Sequence, residues 1–494
     1  EEEYSDAIRI VIDNMIFSDH LKSYPKDGSL AVMLTVYYVT ERSIAKVLID
    51  QNRANSMELD IESDIAEFER VNSINLHENQ RQAVKNAVKY GVSVITGGPG
   101  TGKTTIVKAV ISILKNHLES YVLAAPTGRA AKRLSATTGE EAKTLHRLLE
   151  IDGKSKKARF FYNEYNKLNY DVIIIDEMSM VDLHIFNALT KALKKNTRLI
   201  MVGDKDQLPS VGSGNVLSDI IACGLFNINY LTYIYRQDSE SLIISNAHRI
   251  NKGQMPLIDI KDKDFFFMER NDPEDILNTV LDLITNRLPS YYKVRGADIQ
   301  ILAPMKKGIS GVSNLNEKIQ NIMNPPDSSK KELNVGETKI RTGDKVMQIA
   351  NNYQLEWVKH FQDGSFIAGE GVYNGDIGFV EQIDTEVNTI KVRFEDDKVA
   401  VYSSMEFDEL VLAYAVSVHK SQGSEFDYLI LALAGGNYMI TTRNLLYTAV
   451  TRAKKGIVIV GSREIIKKMT DNTFTTGRYS LLKDFILEIW NENK

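Results

Sequence analysis

Gly97-Gly98-Pro99-Gly100-Thr101-Gly102-Lys103-Thr104 is the stretch on which the reading of this chain turns. It fits G-x-x-x-x-G-K-[ST], follows the apolar strand candidate Val92–Ile95 and opens a helix-length amphipathic run, Thr104–Leu118. Glycines let successive backbone N–H groups converge on phosphate oxygens, and the helix N-terminus adds its positive end. In that frame Lys103 reaches the β- and γ-phosphates of a nucleotide, and the Thr104 hydroxyl, with Thr105 beside it, lies toward a Mg²⁺ ion.

Further apolar runs appear at Tyr121–Ala125, Val172–Ile175 and Leu199–Val202, separated by helix-length amphipathic stretches. Buried strands alternating with helices predict a parallel α/β sheet. Val172–Ile175 delivers Asp176-Glu177 to a strand end, the expected form of a second metal-binding element. Asp176 would hold Mg²⁺, largely through water, and Glu177 would polarise the attacking water. Together these motifs predict hydrolysis of a nucleoside triphosphate without saying what the energy drives.

A second α/β region is expected after Tyr235, with strands at Ile299–Ala303, Tyr428–Ala432 and Ile457–Val460. Within it, Lys345–Val401 holds short alternating runs (Lys345–Ile349, Ile377–Ile383, Thr389–Phe394 and Lys398–Val401) and the turn signals Asn374-Gly375-Asp376 and Glu395-Asp396-Asp397, which predicts a small inserted β-barrel. Residues 1–70 carry helical spacing, as in Ile44, Val47 and Leu48, and are expected to form a small helical domain.

The chain has 494 residues, of which 43% are hydrophobic and 25% charged, so it is neither disordered, collagen-like nor disulfide-stapled. Its length predicts three or four domains. The single cysteine, Cys223, is expected to be an inert core thiol in a reducing, cytoplasmic setting. No apolar run reaches a membrane span: Leu30–Val39, the longest, is interrupted by Thr35. The sequence opens on Glu1-Glu2-Glu3, which reads as a fragment or processed form without a signal peptide. Eight histidines lack H-x-x-x-H spacing, so a zinc site is not expected.

Net charge is −5, a poor start for a nucleic-acid partner. Its distribution changes that. Residues 1–70 hold 15 acidic and 7 basic side chains, leaving a net of +3 for the remainder. Thr127–Lys167 holds ten basic and five acidic side chains, among them Arg129, Lys132, Arg133 and the run Lys154–Arg159. Such a segment predicts phosphate contact without sequence specificity.

The remaining motifs are Leu76-His77-Glu78-Asn79-Gln80, Ala125-Pro126-Thr127-Gly128-Arg129, Thr144-Leu145-His146-Arg147, Gly203-Asp204-Lys205-Asp206-Gln207, Tyr235-Arg236-Gln237, Val418-His419-Lys420-Ser421-Gln422-Gly423-Ser424-Glu425 and Tyr447-Thr448-Ala449-Val450-Thr451-Arg452. In order and spacing they resemble the motifs of superfamily 1 helicases, and most closely the RecD-like group related to the alpha subunit of exodeoxyribonuclease V. The resemblance is dense over about residues 70–465 and weak before them.

The resemblance implies two RecA-like P-loop domains, at 71–235 and 236–494, with ATP in the cleft between them. It implies a β-hairpin pin inserted at about 151–170, an SH3-like barrel at about 340–405 and a shortened N-terminal region. It makes Gln80 the reader of adenine, Tyr235 a base-stacking tyrosine and Glu425 a ribose contact. Gln207 becomes the γ-phosphate sensor, and Arg236 and Arg452 become arginine fingers. Pro126, Thr127, Arg129, Thr144, His146 and His419 become DNA contacts. Phe160, Phe161, Tyr162 and Tyr165 either edge the pin or pack it onto its own domain. The implied activity is an ATP- and Mg²⁺-dependent helicase moving 5′→3′ on single-stranded DNA, acting as a monomer at single-strand/duplex junctions. An RNA-directed helicase, or a motor subunit of a larger nuclease, stays open.

Overall fold

A computed structural model describes residues 2–492, apart from 27, 55–59, 151–159, 234–240, 261–262, 337 and 475–477. Tyr235, Arg236 and Lys154–Arg159 lie outside the described residues.

The fold is α/β, built on two parallel sheets. The first has six strands in the order Ala142–Thr144, Tyr121–Ala125, Val172–Ile175, Arg198–Gly203, Val92–Gly97, Asn227–Leu231, every neighbouring pair parallel. Its inner strands Tyr121–Ala125 and Val172–Ile175 read as apolar runs because both faces are covered. Ile173, Ile175, Leu199 and Met201 pack on one face against the helices Thr35–Ala54, Leu183–Ala192 and Leu482–Glu492. The alternate residues Val172, Ile174, Ile200 and Val202 pack on the other, against Glu62–Asn72, Glu78–Lys89 and Lys103–Asn116. Phosphate-loop strand and Asp-Glu strand therefore end at the same sheet edge, separated only by Arg198–Gly203.

The second sheet has five parallel strands in the order Ala415–Ser417, Ile299–Ala303, Phe426–Leu433, Ala453–Gly461, Phe265–Glu269. The strand Phe265–Glu269 is additional to the expected ones, although Phe265–Met268 is an apolar run.

Between Ile299–Ala303 and Ala415–Ser417 the chain forms a seven-stranded antiparallel sheet that begins at Lys345–Gln348 and ends at Leu410–Leu412. Thr389–Phe394 matches its predicted bounds. The long hairpin Asn352–His360/Phe366–Val372 does not follow from the sequence pattern: much of its second strand faces solvent, so no alternation marks it. This insertion shares a core with the second sheet, Val346, Val380 and Tyr402 packing in one cluster with Ile301 and Ile430.

The N-terminal lead is largely helical, with a hairpin, Leu21–Lys26/Ser29–Leu34, between its first two helices. Thr35 is where that strand becomes helix. Ile44, Leu48 and Ile49 enter the first sheet's core, so the lead is packed into that domain. The helix Leu482–Glu492 departs from the expected grouping of 236–494. It packs Leu482, Phe485 and Ile486 into the same core, because its apolar face meets the helix Thr35–Ala54. Cys223 is buried there, and burial pushes its thiol up. Among the described residues no helix is long and apolar enough to cross a membrane.

Candidate nucleotide cleft and strand-binding face

Two loop glycines, Gly100 (φ +72°) and Gly102 (φ +81°), hold left-handed backbone that side-chain-bearing residues avoid, and so shape the turn. Lys103, first residue of its helix, donates from Nζ to the carbonyls of Gly97 (2.6 Å) and Gly98 (3.0 Å). The Thr101 hydroxyl donates to Gly98 O at 2.8 Å. Thr104 is exposed at the helix start and Thr105 half-buried. Gly98 approaches the second domain closely: a Cβ there would lie 2.9 Å from the Tyr447 hydroxyl and 3.1 Å from His248 Cε1.

Gln80 takes a different position from the one expected of an adenine reader. It is buried, its Oε1 accepts from the His77 N–H and its Nε2 donates to Thr101 O at 3.0 Å. The side chain thus caps its own helix and braces the phosphate loop. A polar amide in that enclosed space is held by the nearest backbone groups.

Asp176 and Glu177 are buried at the end of Val172–Ile175, with Glu177 in left-handed backbone. Burial and the neighbouring Glu177 charge push the Asp176 carboxyl up. Burial pushes Glu177 up as well, but the Arg133 and Arg452 guanidiniums and the Lys103 ammonium outweigh it and hold that carboxyl below its usual range. Arg133 Nη2 donates to Glu177 at 2.6 Å and stands 3.5 Å from Asp176, while its Nη1 donates to Glu425 at 2.6 Å. Glu425, expected as a ribose contact, is therefore engaged by Arg133 across the cleft. The Thr104 hydroxyl and Asp176 carboxylate are hard oxygen donors. They fit Mg²⁺, which keeps several waters and takes one or two carboxylates beside a substrate phosphate.

The second sheet closes the cleft through the helix Arg443–Val450. The Tyr447 hydroxyl donates to Asp204 Oδ2 at 2.6 Å, and the Gln207 amide donates to the same oxygen at 3.3 Å. Leu208 N–H donates to the Thr448 hydroxyl, and the Gln422 amide to Leu208 O. Arg452 is buried, donating to the carbonyls of Thr448 and Ser424 at 3.2 Å, with its charge felt at Glu177. Asp204, Tyr447, Thr448 and Gln422 sat inside quoted motifs without a role assigned. His248, 3.4 Å from Pro99 O, lay in none.

Thr127 and Thr144 are helix N-caps, their hydroxyls accepting from Ala130 N and Arg147 N. Pro126 is half-buried at the strand end before Thr127. His419 is exposed and lines a cavity of about 610 Å³ shared with Gln207, Pro209, Met439 and Phe474. Gly423 abuts Thr127, since a Cβ on it would lie 2.9 Å from that hydroxyl. His146 sits between Phe160 and Tyr353, with Nδ1 enclosed and unpartnered, and burial pushes its imidazole down.

Arg129 is not open to solvent in the way a free phosphate ligand would be. It pairs with Glu395 at 3.1 Å and lies over the Phe426 ring. Lys132 pairs with Asp376 and Asp396. The basic segment is thus partly neutralised by the barrel's acidic turn, which local charge counting could not register. Phe160 and Tyr162 pack toward the first core, whereas Phe161 and Tyr165 point to solvent, Tyr165 being 92% exposed.

Three family models match the chain: an AAA domain at residues 80–213, an ATP-dependent RecD-like DNA helicase SH3 domain at 315–394, and a UvrD-like helicase C-terminal domain at 412–460. The chain is similar to the RecD-like helicases. Among RecD-like relatives, the ATP-dependent RecD2 DNA helicase of Deinococcus radiodurans is 33% identical over 387 residues, covering 78% of this chain and 49% of that protein. The RecBCD enzyme subunit RecD of Mycobacterium tuberculosis is 29% identical over 441 residues, covering 79% of this chain and 70% of its own. The chain thus spans about half the length of the Deinococcus relative. Among solved structures, Pif1 helicase from Bacteroides in complex with ADP-AlF3 and ssDNA is 21% identical, with a TM-score of 0.48, covering 80% of this chain and 94% of that one.

Proposed function

We propose that this chain is the motor of an ATP-dependent DNA helicase that moves 5′→3′ along single-stranded DNA and opens duplexes at junctions. The observation that carries the reading is the cleft itself. Lys103, Asp176 and Glu177 from one parallel sheet face Arg452 and Tyr447 from another, and the strand-contact residues Thr127 and His419 border the same interdomain joint.

The division of labour follows from this arrangement. The loop from Gly97 to Thr105 cradles the triphosphate, and Lys103 turns from the loop carbonyls to its oxygens. Thr104 and Asp176 hold Mg²⁺, which when bound neutralises the charge that develops on the phosphates. Glu177 accepts a proton from the attacking water, and Gln207 reports the γ-phosphate. Arg452 and, from outside the described residues, Arg236 supply positive charge from the second domain, so turnover depends on closure; losing such a finger costs about 10³–10⁵ in rate. A first motor domain built on 71–235, joined by the lead and the helix Leu482–Glu492, a second domain from the chain between, a pin near 151–170 and cytoplasmic action as a monomer complete the proposal.

A strand-displacement assay on 5′-tailed and 3′-tailed DNA and RNA duplexes tests it. Unwinding of the 5′-tailed DNA alone is the expected result, and Lys103→Ala should abolish DNA-stimulated ATP turnover. ATP turnover in Lys103→Ala equal to the parent would refute the site. The relation to the Mycobacterium RecD subunit favours a second reading, a motor subunit of a multi-subunit nuclease. DNA-stimulated ATP hydrolysis without unwinding of any duplex would select it.

A further inference from the structure

The helix Gly128–Thr138 meets the second domain, the barrel and the Asp-Glu strand end. Its N-cap, Thr127, lies against Gly423 of the second domain. Its first turn carries Gly128, packed on the Tyr373 ring of the barrel, and Arg129, paired with Glu395. Less than two turns on, Arg133 forms a two-armed bridge, one arm to Glu177 beside the phosphate loop and the other to Glu425 across the cleft. The helix is 11 residues long and capped at both ends, so it moves as a short rigid rod. A shift imposed at Thr127 is therefore transmitted to the Arg133 guanidinium.

We infer that Arg133 is a positioning residue that couples strand occupancy at the Thr127 end of this helix to the freedom of Glu177. With the bridge made, the Glu177 oxygen is held by a charged donor and is withheld from the attacking water. A strand seated at the Thr127–Gly423 joint displaces the helix start, loosens one arm of the bridge and releases Glu177. Because Glu425 belongs to the other domain, the same bridge also registers closure. Two sites biasing one element are coupled reciprocally: whatever strand binding does to nucleotide affinity, nucleotide does to strand affinity by the same factor.

This inference rests on the nucleotide and strand sites proposed above, and its test is a binding measurement that needs no turnover. The affinity of the full chain for a fluorescent oligo-dT is measured by anisotropy with and without a non-hydrolysable ATP analogue and Mg²⁺. The ratio of the two dissociation constants is the coupling factor, about 5–150-fold in systems of this kind. It should fall toward one in Arg133→Ala, and also in Glu425→Ala, which removes one arm at a half-buried position outside the core clusters. A factor within about twofold of the parent in either variant overturns the inference. A parent chain that binds neither oligo-dT nor the analogue instead refutes the proposed function.

Discussion

The Tyr447–Asp204 hydrogen bond offers a direct measure of how tightly the two sheets are keyed together. Both residues are 1% exposed, and the bond, 2.6 Å long, runs from the second sheet's helix Arg443–Val450 to the strand end after Gly203. Tyr447→Phe removes the donor and leaves Asp204 Oδ2 with only the 3.3 Å contact from Gln207. Hydrogen bonds to charged groups contribute ~1.5–3 kcal/mol, and the carboxylate left behind has no route to water. Burial already pushes Asp204 up, and the Tyr447 hydroxyl opposes that shift. Its loss therefore moves the carboxyl toward the neutral form, which caps the penalty at the lower half of the range. We expect Tyr447→Phe to destabilise by about 2 kcal/mol, and a double-mutant cycle with Asp204→Asn to return a coupling of at least ~1 kcal/mol in urea denaturation. Additive effects, with coupling under ~0.5 kcal/mol, would refute the argument that this bond keys the domains.

Three further outcomes follow from particular contacts. Gly128→Ala places a Cβ about 2.6 Å from the Tyr373 ring, so overpacking of ~1–3 kcal/mol is expected in chemical denaturation, and Tyr373→Ala should relieve it. Burial raises the Glu41 carboxyl to about 7 and that of Asp219 to about 6. Both folded values exceed the unfolded ones, so the stabilisation from holding these protons is complete below about pH 4 and is lost as pH rises through 6 and 7. Glu41→Gln should therefore gain on the parent between about pH 5 and pH 8, by at most ~3 kcal/mol, and a pH-independent difference in melting would contradict this. Tyr165→Ser, at a 92% exposed position, should leave stability within ~0.5 kcal/mol of the parent while slowing strand displacement, and unchanged unwinding would remove Tyr165 from the pin.

What the sequence displayed well was whatever is encoded locally. Val172–Ile175 and Tyr121–Ala125 match their predicted bounds because strands buried on both faces are uninterrupted apolar runs, and Ile299–Ala303 matches with one interruption, Gln300, whose buried amide donates to the carbonyls of Ala413 and Tyr414. The phosphate loop was legible because its chemistry needs contiguous residues. What stayed hidden depends on partners distant in sequence. Arg129, Lys132 and Arg133 looked like free cations, but carboxylates 44 to 292 positions away neutralise them. Gln80 stands in the expected motif, yet Thr101 claims its amide. Leu482–Glu492 is an ordinary amphipathic helix, and nothing in its pattern says which of two cores its face will enter. The strand Phe265–Glu269 stands at a sheet edge, where only Phe265 is fully buried.

The return of the helix Leu482–Glu492 to the first sheet has a topological consequence. The chain leaves the first domain after Leu231, builds the second sheet and the barrel, and then comes back, so the second domain is an insertion held by two crossings. Arg478 fastens the returning crossing to the carbonyls of Ser210, Gly212 and Gly214, and Leu481 donates to Glu41 across 440 positions of sequence. Two tethers on one body leave rotation about the line joining them as its easiest motion and resist sliding and separation. They also set an order of assembly. The inserted sheet and barrel can close on contacts among themselves, whereas the first domain's core must wait for a loop of about 250 residues to be folded out of the way. The clasp around Glu41 thus fixes the returning crossing to the first domain's core.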